Sequence, residues 1–187
     1  MHPIAEPDPA TLPPLYAPER ALPPYRYVPG LLPHPSADPE GHSYGHPEPG
    51  IEHSAPEFWA SDREYLHGVD LFNRRYYWEA HEAWERVWHG CDKARTQGLF
   101  IQGLIQLSAA LLKWHLGAER GVRLLFEGAR TKTAPARREF PHGYMGIAVA
   151  SWWEEVEECG ARLIATPGPA AGMLLPVIRL DEGRSKS

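Results

Sequence analysis

Proline falls almost entirely on one side of this chain. Fifteen of the 20 Pro precede Glu57, and all seven Trp follow it. Each Pro removes a backbone donor and biases its predecessor to extended geometry, so no regular helix is expected over residues 1–55. Any core must come from the Trp-rich remainder, which at about 110 residues is long enough to bury one. The chain therefore divides into a Pro-rich extended segment (1–55), a helical domain (56–166) and a C-terminal tail (167–187). The first segment is more than a tether, because Leu22-Pro-Pro-Tyr-Arg-Tyr-Val-Pro-Gly-Leu-Leu-Pro-His carries aromatic and aliphatic residues that a pure linker lacks. It is expected to lie across the helical domain, in preference to serving as a polyproline-type ligand for a partner.

Apolar spacing of 3.6 predicts an all-α domain, a compact bundle of about four to five helices carrying the extended Pro-rich arm. The first helix is expected over 56–73, capped by Ser54 or Ser61, with Pro56 in its first turn. The second starts at Tyr76 and ends near Gly90, and the third covers 95–116, apolar nearly all round. A fourth is expected over 118–131, with a shorter piece after Pro135, and the last over 147–165. Leu174-Leu-Pro-Val-Ile-Arg-Leu reads as an extended strap laid on the bundle, with the chain fraying from Asp181 onward.

A net charge of -5 and a pI near 6.0 argue against nucleic acid as a partner, since phosphate binding rests on clustered Lys and Arg. The local cluster Arg120, Arg123, Arg130, Lys132, Arg137 and Arg138 is diluted by Glu119 and Glu127 and reads as a solvated helix face. Cys91 and Cys159 are the only cysteines, which excludes a disulfide framework or a four-Cys zinc site and suits a cytoplasmic protein. The N-terminus has neither the basic start nor the apolar run of a signal peptide. Leu99 to Leu116 is apolar, but Gln102, Gln106 and Lys113 interrupt it, so it reads as a core helix and no membrane association is expected. The remaining surface is open to a homodimer, and no small-molecule substrate is named by composition.

Chemistry concentrates in Tyr76 to His89, Tyr-Tyr-Trp-Glu-Ala-His-Glu-Ala-Trp-Glu-Arg-Val-Trp-His. At about 100° per residue, Trp78, His81, Glu82, Glu85 and His89 share one arc, while Tyr77, Ala80, Trp84, Val87 and Trp88 share the core stripe. Glu79 and Arg86 take the remaining side and are expected to be solvated. His81 and Glu85, four apart, lie one above the other and can present an imidazole nitrogen and a carboxylate oxygen to one divalent metal ion. Glu82 would be a further ligand or a general base, with His67, His89 or His115 as further sources of ligands. Gln102 and Gln106 share one side of the third helix and would orient the cluster. The rival reading is a half-buried structural network on a non-catalytic interaction module. Nothing else supplies a nucleophile, phosphate loop or cofactor fingerprint, so whether the chain is an enzyme stays open. Four histidines of the arm, His34, His42, His46 and His53, read as exposed loop residues; His42 and His46 lack the flanking ligands that a metal clasp needs.

The run Leu71-Phe-Asn-Arg-Arg-Tyr-Tyr-Trp-Glu-Ala-His-Glu-Ala-Trp-Glu-Arg-Val-Trp, followed by Phe100-Ile-Gln-Gly-Leu-Ile-Gln-Leu-Ser-Ala-Ala, resembles domain-of-unknown-function family number 309, a bacterial and archaeal family. Its His-x-x-x-Glu-x-x-(Trp or Tyr) signature is met by His81, Glu85 and Trp88, and the resemblance covers about residues 63 to 130. It implies a small all-helical fold and metal binding at the motif, and no substrate.

Overall fold

Asp62 opens the first helix. Its Oδ1 accepts the Tyr65 N–H at 2.9 Å, satisfying a donor that the first turn leaves free, and α1 runs Arg63–Asn73. The computed structural model describes residues 4–46, 50, 54–166, 168 and 173–181. The expected start at Pro56 is corrected: Pro56–Ser61 is a separate 3-10 turn, broken by non-helical angles at Phe58, and neither Ser54 nor Ser61 caps α1. A carboxylate at residue 62 in extended geometry is a strong N-cap, and the helix begins where that cap sits.

Arg75, in the left-handed region at φ 64°, turns the chain into α2, Tyr77–Gly90. Then come α3, Thr96–His115, α4, Glu119–Glu139, and α5, Val149–Ala165. Among the described residues the chain has these five α-helices and no strand, as the spacing of apolar residues predicts. Consecutive helices pack side by side from α1 to α5. Trp84, Trp114, Trp153, Tyr65, Tyr77, Phe72 and Phe100 are the largest buried side chains. The core stripe of α2 is as expected, with Tyr77, Ala80, Trp84 and Val87 buried and Trp88 half-buried.

The fourth helix does not stop at Thr131. It runs through Pro135 to Glu139 as one element. Pro135 gives up a ladder bond, but nearby carbonyls gain side-chain donors: Thr133 Oγ1 donates to Ala129 O at 2.9 Å and Arg137 donates to Arg130 O at 2.9 Å. Packing against α3 holds the segment in line. At Gly103 a Cβ would come within 2.4 Å of Thr133 Cγ2, so the two helices close on each other where glycine leaves room. The outer face of α4 is charged and self-paired, Arg123 with Glu119 and Arg130 with Glu127, each at 2.8 Å.

The arm packs on its own helical domain. Ile4, Ala17 and Val28 are fully buried, and Asp70 of α1 accepts backbone N–H groups from Tyr16 at 2.9 Å and Ala17 at 2.8 Å. The C-terminal strap docks on the same helix. Asn73 donates to Ile178 O at 2.8 Å and accepts Ile178 N–H at 2.7 Å, as a neighbouring strand would. The two extended segments also meet, since Leu180 N–H donates to the Tyr16 hydroxyl at 2.9 Å. Fraying is expected from Asp181 onward, but Asp181 is held, its N–H donating to Gly146 O at 2.8 Å; residues 182–187 and His53 lie outside the described residues. No helix among the described residues is long and apolar enough to cross a membrane.

Candidate functional site

One arc of α2 carries Trp78, His81, Glu82 and Glu85. His81 Nδ1 lies 3.3 Å from Glu82 Oε1 and 3.9 Å from Glu85 Oε2. The side chains are 25%, 40% and 41% exposed, so the cluster is half-buried at its base and open to solvent at its tip. Ligand atoms of all three lie within 4.8 Å of one another, the one such group of three His, Cys, Asp or Glu among the described residues. The ion pairs of Glu82 and Glu85 are with His81 alone among the described residues. Elsewhere on the surface, carboxylates such as Glu119 and Glu127 have an Arg partner. Trp78 stacks on the His81 ring, centroids 5.8 Å apart and planes 16° apart, and is wedged in turn by Tyr27 at 5.1 Å and His34 at 5.3 Å. The arm thus fixes Trp78, and Trp78 fixes the imidazole.

The other candidates scatter. Gln106 turns toward α4, where a Cβ on Gly128 would come within 2.5 Å of its Oε1. Among the described residues no hydrogen bond joins Gln102 or Gln106 to His81, Glu82 or Glu85. His115 stacks on Tyr77 and packs edge-on against Trp114, and burial lowers its pKa to about 4. His89 is exposed beside Trp88. Both cysteines are free and buried, and burial pushes each thiol up to about 11, which removes them as nucleophiles.

The helical periodicity has Glu79 and Arg86 solvated, but Glu79 is buried and Arg86 is half-buried and ion-paired. Glu79 is 6% exposed, and its Oε1 accepts the Tyr27 N–H of the arm at 2.9 Å. His42, expected to be an exposed loop residue, approaches the same carboxylate with Nε2 at 3.5 Å, an ion-pair distance too long for a good hydrogen bond. Arg86 Nε donates to Glu64 Oε1 at 2.9 Å, and Arg20 of the arm donates to Glu64 Oε2, so one carboxylate ties the arm to α1 and α2. Burial alone would raise the Glu64 carboxyl, but the two guanidiniums hold it below its ordinary value. Glu79 is buried, and Arg86 partly so, because the arm lies over this face.

Between the arm, α1 and α2 lies a cavity of about 520 Å³. His42, His67, Glu79, Glu82, Arg20 and Arg86 contribute polar groups to its wall; Pro23, Pro24, Pro35, Leu71 and Trp78 contribute apolar surface. Glu82 therefore belongs both to the His81 cluster and to the cavity. His67 is 7% exposed; burial, with Arg20 nearby, lowers its pKa to about 4, so it is neutral at pH 7. Sequence reasoning missed this grouping. The one signal was His-Ser-Tyr-Gly-His in the arm, and spacing could not show that it faces Glu79.

Residues 65–125 match the profile of a family described as Domain of unknown function (DUF309), which bears out the resemblance over α1, α2, α3 and the start of α4. No curated protein matches the chain.

Proposed function

We propose that this helical protein binds a divalent cation through His81 and Glu85, with Glu82 as a further ligand or general base, and that the site serves hydrolysis of a small molecule. The observation that carries this reading is three ligand atoms within 4.8 Å of one another, on a half-open face, with no Arg or Lys pairing the carboxylates among the described residues. The contacts of 3.3 and 3.9 Å suit neighbouring donors of one ion, whose bonds to His N and carboxylate O run to roughly 2.0–2.2 Å. One imidazole and two carboxylates favour a first-row ion such as zinc, manganese or iron over calcium. A cation held by three donors from a single helix keeps positions open to water and supplies Lewis acidity and a more acidic bound water.

The chain's own groups have separate tasks in this reading. Trp78, clamped by Tyr27 and His34, holds the His81 ring in one orientation. Glu82, which lines the cavity as well as the cluster, is placed to take a proton from a molecule entering there. Gln102 and Gln106 are not needed for it.

The alternative is a non-catalytic module in which His81 and the two carboxylates simply satisfy one another; their direct contacts favour it. Elemental analysis of the purified, untagged protein beside a His81→Ala, Glu85→Ala double variant separates the two. Near-stoichiometric metal in the parent and none in a variant of unchanged stability, within about 0.5 kcal/mol as suits half-exposed groups, is the expected result. Metal in neither protein, with the variant clearly less stable, would overturn the proposal in favour of the network.

A further inference from the structure

We infer that the cavity beneath the arm binds a small zwitterion of the amino-acid class, its ammonium toward Glu79 and Glu82 and its carboxylate toward Arg20 and Arg86. The inference goes beyond the cation reading, because it requires no ion.

Charge is divided along the cavity wall. Glu79, Glu82 and Arg86 follow one another along one side of α2, spanning two helical turns, roughly 10 Å. At the Arg86 end, Arg20 and Arg86 share the single carboxylate of Glu64, so two guanidiniums face one negative charge. At the other end, Glu79 accepts the Tyr27 N–H, and the ion-pair partners of Glu79 and Glu82 among the described residues are imidazoles, His42 at 3.5 Å and His81 at 3.3 Å. Glu82 and Arg86, four residues apart, form no ion pair with each other. A ligand carrying one charge would suit half of this wall. A zwitterion suits both halves.

The buried polar groups point the same way. Among the described residues, Glu79 Oε2, His67 Nδ1 and His42 Nε2 are each buried without a hydrogen-bond partner. Glu79 and His67 are both more than nine-tenths buried, and leaving such atoms unmet costs free energy. With a turn of the Glu79 carboxylate toward the cavity, an ammonium offers three donors, enough for the free Glu79 oxygen and a neighbouring imidazole nitrogen. A second metal ion fits less well, because these side chains do not bring three ligand atoms together as the His81 cluster does. The Leu71, Trp78 and proline surfaces leave apolar room for the ligand's side chain within about 520 Å³. Ser36, exposed at the rim, marks the approach from solvent.

The test is calorimetric titration of the full chain, EDTA-treated and cation-loaded, with the common amino acids. Each is run beside its decarboxylated amine and its deaminated acid. The expected result is binding of at least one amino acid in the EDTA-treated protein, with both counterparts weaker by about tenfold or more. Glu79→Gln should weaken that binding about tenfold. Ser36→Trp, a substitution at the exposed rim that spares the core, should block it. Absence of binding by every amino acid in the EDTA-treated protein would overturn the inference, whatever the cation-loaded protein does. So would counterparts that bind as tightly as the zwitterion, or an undiminished affinity in Ser36→Trp. Binding that persists in the His81→Ala, Glu85→Ala double variant upholds it whatever the elemental analysis returns.

Discussion

His42 of the arm and Glu79 of α2 meet with Nε2 and Oε1 3.5 Å apart, both almost wholly buried. The same oxygen accepts the Tyr27 N–H at 2.9 Å, so a single carboxylate receives two points of the Pro-rich segment. The arm is therefore a wall of the domain. It encloses the cavity, and through Tyr27 and His34 it wedges the Trp78 ring that stacks on His81.

Replacing Glu79 by Ala should loosen that wall. The Tyr27 N–H loses its acceptor in a buried setting, which costs about 2 kcal/mol. Denaturant unfolding should register the loss, and hydrogen exchange at Tyr27 should accelerate. Unchanged protection of that amide would show that the arm is held by other contacts.

Asn73 makes two bonds to the backbone of Ile178, at 2.8 and 2.7 Å, and Asn73→Ala leaves both groups of a buried residue unmet. The expected cost is about 2–3 kcal/mol. Limited proteolysis should then cut the strap at 173–181 well before the bundle. A variant whose strap resists cleavage as the parent's does would contradict this account of how it is held.

Gly103→Ala should be destabilising through overpacking, by about 1–3 kcal/mol, because the new Cβ meets Thr133 Cγ2 at 2.4 Å. Adding Thr133→Ser removes that methyl while keeping a hydroxyl for the Ala129 carbonyl, and should recover most of the loss. Thermal melting of the two variants decides; no recovery would place the clash elsewhere in the α3–α4 contact.

Stability should fall on mild acidification. His67 and His115 have pKa values lowered to about 4 by burial, against an unfolded value near 6.5. Between these values the unfolded chain binds protons that the folded chain refuses, so stability drops as pH falls through that window. Each imidazole accounts for about 2 kcal/mol between about pH 7.5 and pH 5. His115→Phe, which keeps a ring stacked on Tyr77, should flatten the pH dependence of the melting temperature. An equally steep dependence in that variant would refute this origin.

The helices were legible in the sequence because their signals are local. Trp84 and Val87 recur at helical spacing, Pro crowds the first segment, and the bundle follows from burying the apolar stripes. His81, Glu82 and Glu85 were legible for the same reason, since positions i, i+1 and i+4 of one helix are neighbours whatever surrounds it. Pro135 misled, because a residue that stops an isolated helix is tolerated where α3 and side-chain donors hold the backbone. Glu79 and Arg86 misled more deeply. Periodicity sorts residues against the core of their own bundle, and neither is on that side. What covers Glu79, and partly shields Arg86, is a segment without periodicity, docked through Asp70, Glu64 and Glu79 onto residues some fifty positions away. By itself, then, the sequence determined the all-helical bundle and the His81 cluster, which are matters of spacing along one helix. The arm's docking, and with it the cavity and the burial of Glu79, His42 and His67, was decided only by tertiary structure, because it rests on contacts between distant segments that spacing does not encode.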